Sequence, residues 1–450
     1  MTEEYIVSKL YEKYIKPTEG NRDNFIGVEI EMPIVNLNRE AVDFAVVHRL
    51  TGAFCNHFDF SVSGTDDEGN ANAAENRQNG DILSYDCSYN NLELSFGRES
   101  DLNVIGKRFT EYCAFIQTWL GQFNYTLTGM GVNPYRGYNR NVPVPNGRYR
   151  MLFHHLQSYK NYIGQMNFHH FPEFGTFSSA SQVQLDVNAE KLLLTLNVMN
   201  RLEPLKALLF SNSVMPDCDA EILCYRDIFW ENSTHGINPK NIGMYDADFS
   251  SLDDVLAYIS DTSIYCVERG EKYINFAPVK IVDYLRSDSV KGEYFDGSAY
   301  RETEIKPCVE DLAYLRTFKF EDLTYRGTIE YRSACTQPIK DAMALPAFQV
   351  GLLRRQNELD VLLKNDTVIY GHGYTPKQLR ALLIRRTLPE FIDEDRLYSL
   401  LKQITDLARD GLAERNLGEE KFLEPLYERI SRRESPAKYM LKSLENGVQL

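Results

Sequence analysis

Ile26-Gly27-Val28-Glu29-Ile30-Glu31-Met32 is a short stretch in which apolar and acidic side chains alternate. Side chains of a β-strand point in turn to its two faces, so Glu29 and Glu31 share one face and the aliphatic residues share the other. Two neighbouring carboxylates repel each other, and acids on a buried face are rare unless they are paired or bound to a metal ion. The stretch predicts a strand, and by itself it fits a solvated edge strand as well as a functional one.

The same alternation recurs in segments that lie far apart in the sequence. Each has an apolar face and a face of carboxylate, amide or guanidinium groups. The segments are Leu92-Glu93-Leu94-Ser95-Phe96, Gln182-Val183-Gln184-Leu185-Asp186-Val187 and Thr328-Ile329-Glu330-Tyr331-Arg332. An antiparallel sheet with one face on a core and the other lining a wet cleft gives this pattern. We therefore expect the segments to lie side by side, although the sequence does not show their adjacency.

Such a sheet would gather a defined set of polar groups on one face. The set is Glu29, Glu31, Glu93, Gln182, Glu330 and Arg332. Hard oxygen ligands of this kind suit Mg²⁺ or Mn²⁺ and not zinc or copper. Divalent ions next to an arginine indicate a site for a polyphosphate.

The composition is that of a globular protein with material for a large core. The 450 residues are 43% hydrophobic and 25% charged, which allows two or three domains or one large α/β enzyme. The formal net charge of −15 disfavours nucleic acid or an anionic membrane as the main partner. We expect small-molecule substrates.

The cysteines and the N-terminus predict a cytoplasmic protein. The eight cysteines form no CxxC pair and no regular framework, which is typical of reduced thiols. The first residues are acidic and lack an apolar signal region. No run of eighteen apolar residues occurs, so no membrane span is predicted.

Apolar spacing predicts helices separated by polar segments. The predicted helices cover 3–16, 39–52, 101–122, 189–210, 252–260, 280–286 and 394–414, and Pro376 opens another. Residues 64–81 read as a loop or hairpin tip, and 290–310 as polar and irregular. From Lys340 onward the apolar spacing is helical, which indicates a helical layer packed on the sheet.

Residues 133–150 combine prolines and glycine with four arginines, from Arg136 to Arg150. The prolines predict an ordered loop and no helix. The arginines fit either a solvated basic loop or a clamp for carboxylate or phosphate. The pairs at 154–155 and 169–170 are adjacent histidines, which point in different directions, so we expect exposed or packing histidines.

The chain resembles the glutamate–cysteine ligases of the plant and proteobacterial type, which are carboxylate–amine ligases related to glutamine synthetase. The resemblance runs from about residue 25 to about residue 440. It rests on the number and order of short matching pieces. Besides the segments above, these are Pro145-Asn146-Gly147-Arg148-Tyr149, Ala207-Leu208-Leu209-Phe210-Ser211-Asn212-Ser213, Arg226 before Ile228 and Trp230, and Ala344-Leu345-Pro346-Ala347-Phe348-Gln349-Val350-Gly351-Leu352-Leu353.

The resemblance implies an α+β fold: a curved antiparallel sheet with a polar, metal-binding concave face, and helices on its other face. Residues 1–450 would form a single catalytic domain, with 340–450 as a helical C-terminal layer within it. The region from Pro33 to Tyr85 matches poorly, and 231–325 matches only in outline. These parts would shape the pocket for the second substrate.

The resemblance also implies roles for individual residues. Glu29, Glu31, Glu93, Gln182 and Glu330 match metal ligands, and Asp86, seven residues before Glu93, is the nearest acid to a further ligand position that relatives fill with glutamate. Arg332 matches a group that stabilises phosphate charge, and it and Glu330 would act in catalysis. Gln184 and Asn212 would join Arg332 at the nucleotide, whereas Arg226, Arg148 and Tyr149 would hold the substrate glutamate.

The implied reaction joins the γ-carboxylate of L-glutamate to the amine of L-cysteine through a γ-glutamyl phosphate, with ATP and Mg²⁺ (or Mn²⁺) as cofactors. The absence of a G-x-x-x-x-G-K-[ST] loop agrees with nucleotide binding through metal ions and a sheet. The alternatives are a ligase for a different amine, a phosphagen-type kinase and a non-catalytic homologue.

Overall fold

The computed structural model describes residues 1–20 and 22–446. Two antiparallel sheets and a short parallel pair make up its strands. The strands are β1 (Ile26–Asn36), β2 (Ser61–Thr65), β3 (Ala71–Glu75), β4 (Ile82–Tyr85), β5 (Asn91–Glu99), β6 (Tyr125–Leu127), β7 (Ser181–Asp186), β8 (Ile242–Gly243), β9 (Ser263–Arg269), β10 (Lys272–Lys280), β11 (Val290–Phe295), β12 (Tyr300–Ile305), β13 (Phe318–Lys319), β14 (Glu321–Leu323) and β15 (Thr328–Tyr331).

Helices surround the sheets and fill the C-terminal part of the chain. They are α1 (Glu3–Leu10), α2 (Phe44–Phe58), α3 (Leu102–Gly121), α4 (Gly147–Gln157), α5 (Leu192–Phe210), α6 (Tyr225–Glu231), α7 (Leu252–Ser260), α8 (Ile281–Arg286), α9 (Ala344–Arg354), α10 (Gln356–Lys364), α11 (Pro376–Leu383), α12 (Glu394–Ala413), α13 (Glu424–Arg432) and α14 (Pro436–Glu445). None of the described helices is long and apolar enough to cross a membrane.

The larger sheet has the order β14-β15-β7-β1-β5-β4-β3-β2, with β6 paired to β1. The strands that carry the alternating acidic segments, β15, β7, β1 and β5, are consecutive neighbours in it. Their predicted adjacency is therefore confirmed, as is a mixed fold with antiparallel sheets. All pairs along this path are antiparallel.

The face of this sheet that carries the apolar residues of the alternating segments packs on the core. Val28, Ile30, Met32, Leu94 and Val183 are at most 1% exposed. Each such side chain contributes about 1.5–3 kcal/mol by leaving water. Helices α3 and α9 pack on this region, against β5 and β7 respectively. The apolar side chains thus anchor the sheet to the core, and the acidic and amide side chains of the same strands point away from it.

The smaller sheet, in the order β12-β11-β10-β9, contains the part of the chain predicted to be irregular. The prediction for 290–310 is wrong, because β11 and β12 form a regular hairpin there. The turn at its tip places Gly297 at φ +104°, a conformation that glycine adopts readily. Charged residues occur on both strands, so no strong apolar alternation marked them in the sequence.

Most helix predictions are confirmed to within a few residues, and two differ for a visible reason. Helix α2, predicted over 39–52, starts later because Asp43 caps it, its side chain accepting a hydrogen bond from the Ala45 amide, and it continues to Phe58. The loop predicted over 133–150 is wrong at its end, where α4 begins at Gly147. The Asn146 side chain caps that helix by accepting a hydrogen bond from the Tyr149 amide at 2.9 Å.

Helices α9 to α14 follow one another between residues 344 and 445. That 340–450 form a layer within a single domain stays a prediction, and residues 447–450 lie outside the described part. Helix α9 crosses α12 where Gly351 and Gly411 meet. A Cβ atom on Gly351 would lie 2.1 Å from the carbonyl oxygen of Ala408, so this close approach requires glycine. Helix α11 packs on α5 and joins the tail to the centre of the fold.

Candidate functional site

Strand register gathers the predicted acids and amides on one face of the larger sheet. We call this the acidic face, and its residues are Glu29, Glu31, Glu93, Gln182, Gln184 and Glu330. Glu29 lies opposite Ser95 on one side and Gln182 on the other. Glu31 lies opposite Glu93. Directly opposite residues of an antiparallel pair share a face, so the polar side chains of neighbouring strands converge.

The acids at the centre of this face are held by amides. Glu31, 5% exposed, accepts hydrogen bonds from the Ala180 amide at 2.7 Å and from Gln182 Nε2 at 2.9 Å. Gln184 Nε2 lies 3.2 Å from a carboxylate oxygen of both Glu29 and Glu330 and bridges them. The predicted ligand and nucleotide residues of β1, β7 and β15 therefore meet in one network.

Glu93 and Asp86 continue the acidic face toward the edge of the sheet. The Ser95 hydroxyl donates to Glu93 Oε1 at 2.7 Å. Asp86 directly follows β4, two residues beyond Ser84, which lies opposite Glu93, so strand alternation directs it to the same face. The Tyr149 hydroxyl lies 3.4 Å from Asp86 Oδ1, which brings the start of α4 to this acid.

Burial, and after it the repulsion between neighbouring carboxylates, raises the pKa values of several acids on this face. Burial raises the pKa of Glu29 to about 8, and the nearby charges of Glu93 and Glu330 act in the same direction. Burial and then the charges of Asp86 and Glu93 raise the pKa of Glu31 well above its usual range. The pKa values of Asp86 and Glu93 are raised chiefly by burial. Arg332, Arg326 and Arg148 offset these increases only in part, so positive charge is short on this surface.

The donor chemistry of the acidic face fits a hard cation. Gln182 Oε1 is buried and has no hydrogen-bond partner, beside carboxylates whose pKa values burial and mutual repulsion raise. Yet no group of three or more His, Cys, Asp or Glu residues within the described chain is arranged to hold a metal ion. Hydrogen bonds from Ala180, Gln182 and Gln184 occupy several of the carboxylate oxygens instead. A metal-binding face remains a prediction.

The predicted arginines border the acidic face in different ways. Arg332 Nη1 lies 3.2 Å from Glu330 Oε2, and its guanidinium packs over the Phe318 ring at 5.3 Å. Arg148, on the first turn of α4, is close enough for its charge to offset part of the rise in the pKa of Asp86. Arg226 donates through Nη1 to the carbonyls of Ser333 and Ala334 at 3.2 and 3.0 Å, and its buried Nε has no partner.

The sequence matches the family described as Glutamate-cysteine ligase family 2 (GCS2) over residues 25–449. The chain belongs to this family. This agrees with the family indicated by the acidic strands and the short motifs around them.

Curated relatives of the chain are plant members of the family. A chloroplastic glutamate–cysteine ligase of Solanum lycopersicum is 24% identical over 322 residues, which cover 70% of this chain and 56% of the relative. Glutamate–cysteine ligase A of Oryza sativa subsp. indica, also chloroplastic, is 23% identical over 328 residues, 71% of this chain and 61% of the relative. The chain thus spans little more than half the length of these relatives.

Among solved structures, a glutamate–cysteine ligase from Francisella tularensis in complex with AMP aligns with a TM-score of 0.44 and 12% identity. The alignment covers 94% of this chain and 85% of that one.

Asn212 is predicted to contact the nucleotide. In the structure it is buried, and its side chain is hydrogen-bonded to main-chain carbonyl groups. Its Nδ2 donates to the carbonyls of Gly129 and Thr336 at 2.7 and 2.8 Å. Both amide hydrogens are thereby committed within the protein. A nucleotide contact would have to use another atom of this residue, and its role stays a prediction.

Two charged residues of the acidic face escaped the sequence reasoning. Asp322 on β14 lies opposite Glu330, and burial raises its pKa to about 6. Arg326 Nη1 donates to Gln184 Oε1 at 3.3 Å. Asp322 lies between Glu321 and Leu323 in a strand of only three residues, so no alternation of apolar and polar side chains marked it in the sequence.

A group of fully paired charges lies next to Arg226, and we call it the ion network: Glu203, Lys206, Asp227 and Arg380. Arg380 Nη1 is 2.5 Å from Glu203 Oε2, and Arg380 Nε is 2.7 Å from Asp227 Oδ2. Lys206 Nζ is 2.6 Å from Glu203 Oε1. The Ser333 hydroxyl donates to Glu203 Oε1 at 3.0 Å, so the network reaches the segment that holds Arg226.

Proposed function

We propose that the chain catalyses the ATP-dependent ligation of the γ-carboxylate of L-glutamate to the amine of L-cysteine. The observation that carries the proposal is the acidic face, where oxygen ligands from four neighbouring strands meet beside Arg332 in a GCS2 family chain. Such a face suits a polyphosphate bound through divalent cations.

Glu29, Glu31, Glu93, Gln182 and Glu330 are the residues that would hold Mg²⁺, with Asp86 as a further candidate. Bound there, the metal would neutralise phosphate charge and the mutual repulsion of the carboxylates. The buried, unpartnered Gln182 Oε1 supports this assignment because a neutral amide oxygen is a suitable ligand among carboxylates. Mn²⁺ has the same ligand preference.

In the proposed first step, a γ-carboxylate oxygen of glutamate attacks the γ-phosphorus of ATP. The bond to the bridging oxygen breaks, and ADP leaves with that electron pair. Arg332 lies at the edge of the acidic face, where a guanidinium can bind phosphate oxygens by two hydrogen bonds. Catalysis in such transfers is mainly positioning and charge stabilisation.

In the second step, the amine nitrogen of cysteine attacks the acyl carbon of the γ-glutamyl phosphate. The carbon–oxygen bond to phosphate breaks, inorganic phosphate leaves, and the nitrogen gives up a proton. Arg148 and Tyr149 stand at the Asp86 end of the face and Arg226 near Glu31, positions from which they would hold the substrate glutamate.

The test measures phosphate release from Mg-ATP with glutamate and a panel of amines: cysteine, 2-aminobutyrate, alanine and ammonia. We expect release that requires both glutamate and cysteine, with the mass of γ-glutamylcysteine among the products. Release with another amine would support the activation of glutamate by ATP but would show that cysteine is not the acceptor. A folded protein that releases no phosphate with any amine would contradict the proposal.

Two further expectations belong to the same proposal. We expect a single catalytic domain acting on small molecules, without nucleic acid or membrane partners. We also expect a cytoplasmic location, which fractionation of cells expressing the tagged chain would test.

A further inference from the structure

A cavity of about 240 Å³ lies where the start of β1 and the end of β7 meet the first turn of α5 and the junction of α9 with α10. Its wall includes Ile26, Leu185, Lys191, Val350, Arg354 and Gln356. None of the residues of the acidic face lines it. Because its volume is below the range typical of pockets for drug-sized ligands, it admits only a small molecule.

A buried amide in the wall of this cavity has a free hydrogen-bond donor. Gln356, the first residue of α10, is 3% exposed. Its Oε1 accepts a hydrogen bond from the Thr195 hydroxyl at 2.6 Å, which fixes the amide group. Its Nε2 forms no hydrogen bond within the described part of the chain but keeps accessible surface, and since Gln356 lines the cavity, that surface opens into it. Buried amide donors normally have an acceptor, so this nitrogen calls for one inside the cavity.

The cations of the wall favour an acceptor that is negatively charged. Among the residues that the structure describes, the Lys191 side chain has no hydrogen-bond or ion-pair partner. Arg354 approaches Glu414 only to 3.7 Å, and Arg355 holds the same carboxylate at 2.7 Å. Asp186, the acid of the wall, is already paired with an arginine at 2.6 Å. Positive charge therefore remains for a carboxylate or phosphate to match.

The apolar part of the wall distinguishes between these two anions. Ile26 and Leu185 lie opposite each other on β1 and β7, and Val350 belongs to α9, which packs on β7. Their side chains offer contact to carbon atoms and no hydrogen-bonding group. An inorganic anion would leave this surface without a partner, whereas an organic acid with a short alkyl body would cover it.

We propose that this cavity binds a small aliphatic carboxylate, at a site distinct from the acidic face. One carboxylate oxygen would accept a hydrogen bond from Gln356 Nε2, and Lys191 and Arg354 would match its charge. The alkyl body would lie against Ile26 and Leu185. The inference does not depend on the proposed ligase activity.

The experiment is a saturation-transfer NMR titration of the full chain with butyrate, repeated with butyramide as its neutral analogue. We expect saturable binding of butyrate, about tenfold weaker binding of butyramide, and no displacement of butyrate by an equal concentration of inorganic phosphate. Saturating Mg-ATP should leave the butyrate affinity unchanged, because the two sites share no residue. Displacement by phosphate would overturn the claim that the alkyl body is recognised, and competition by Mg-ATP would overturn the claim of a distinct site.

Matched variants locate the binding. Gln356→Met keeps the length of the side chain but removes the N–H donor, and should weaken butyrate binding by about tenfold. Lys191→Met, at an exposed position that leaves the core intact, should weaken it by about fivefold. Lys160→Met removes the same charge from an exposed lysine outside the cavity and should leave the affinity as it is. No saturable binding, equal affinities of Lys191→Met and Lys160→Met, or full affinity in a folded Gln356→Met protein would refute the proposal.

Discussion

The acidic face and the ion network are two concentrations of charge that the protein treats in opposite ways. In the ion network each carboxylate touches a cation, and Lys206 and Arg380 lower the pKa of Glu203 to about 2 despite its burial. On the acidic face carboxylates outnumber cations, and burial raises the pKa of Glu29 to about 8. Charge neutralised within the chain holds the fold together, whereas charge left unneutralised is suited to an external cation.

The largest predicted effect tests the functional half of this contrast. The double variant Glu29→Gln/Glu330→Gln should lower Mg-ATP-dependent phosphate release by about 10³-fold or more, since it removes two charged ligands while keeping side-chain size. The metal-free protein should remain folded and at least as stable, because repelling acids are gone. Phosphate release and urea unfolding measure the two quantities.

Glu190→Gln/Glu173→Gln changes the charge equally at positions away from the acidic face and is the control for that experiment. Normal turnover in Glu29→Gln/Glu330→Gln would show that neither residue is needed at the active site. A large loss of stability would instead show that these acids serve the fold, and the contrast with the ion network would fail.

The next prediction tests the structural role of the ion network. Arg380→Met leaves Glu203 and Asp227 with one cation fewer in a buried setting, and should lower the free energy of unfolding by about 3–5 kcal/mol. The double variant Asp227→Asn/Arg380→Met also removes the carboxylate that loses its cation, leaves Glu203 paired with Lys206, and should recover part of the loss. Urea unfolding of both variants gives the comparison.

Arg386→Met is the matched control, since Arg386 pairs with Glu445 on the surface at 2.6 Å. We expect it to cost less than about 1 kcal/mol. Equal losses in Arg380→Met and Arg386→Met would show that burial does not distinguish the two ion pairs.

The contrast also explains what the sequence could predict. The predicted ligands lie in strands whose other face is apolar, and this alternation is visible within a few residues of sequence. It is why the sequence identifies Glu29, Glu31, Glu93, Gln182 and Glu330. The adjacency of the four strands followed from the assumption that like faces assemble, and the order of the sheet confirms it. Helix α4 was missed because its first turn follows prolines and carries few apolar residues.

The ion network left no such signal. Glu203 and Lys206 are buried members of α5, a helix with so many buried positions that no apolar stripe marks one face. Arg380 looks like any surface arginine until the fold brings α11 against α5. Pairing between residues distant in sequence is a property of tertiary structure, so composition and spacing do not reveal it.

A smaller effect of pH should separate wild type from Glu29→Gln. Glu29 keeps its proton in the metal-free fold up to about pH 8, whereas the unfolded chain gives it up near its usual value of 4.5. The folded state thus binds more protons in this range, so stability falls as pH rises. We expect wild type to lose about 3–4 kcal/mol relative to Glu29→Gln between pH 5 and pH 8.

The measurement is urea unfolding in EDTA, and comparison with Glu29→Gln cancels the titration of buried histidines common to both proteins. Added Mg²⁺ should reduce the difference if the acidic face binds it, because the cation favours the ionised carboxylates. A difference that is independent of pH would mean that Glu29 is ionised in the metal-free fold and that the acidic face is not short of positive charge.

The smallest effect should come from the residue that joins the two regions. Ser333 donates its hydroxyl hydrogen to Glu203 in the ion network, and its carbonyl accepts a hydrogen bond from Arg226 beside the acidic face. Ser333→Ala removes only the first contact, and Glu203 keeps Lys206 and Arg380, so unfolding should change by about 1 kcal/mol. Since the carbonyl remains, turnover should change less than about threefold, or about 0.6 kcal/mol. A larger loss of turnover with stability intact would mean that the ion network sets the position of Arg226, and that the two regions act as one unit.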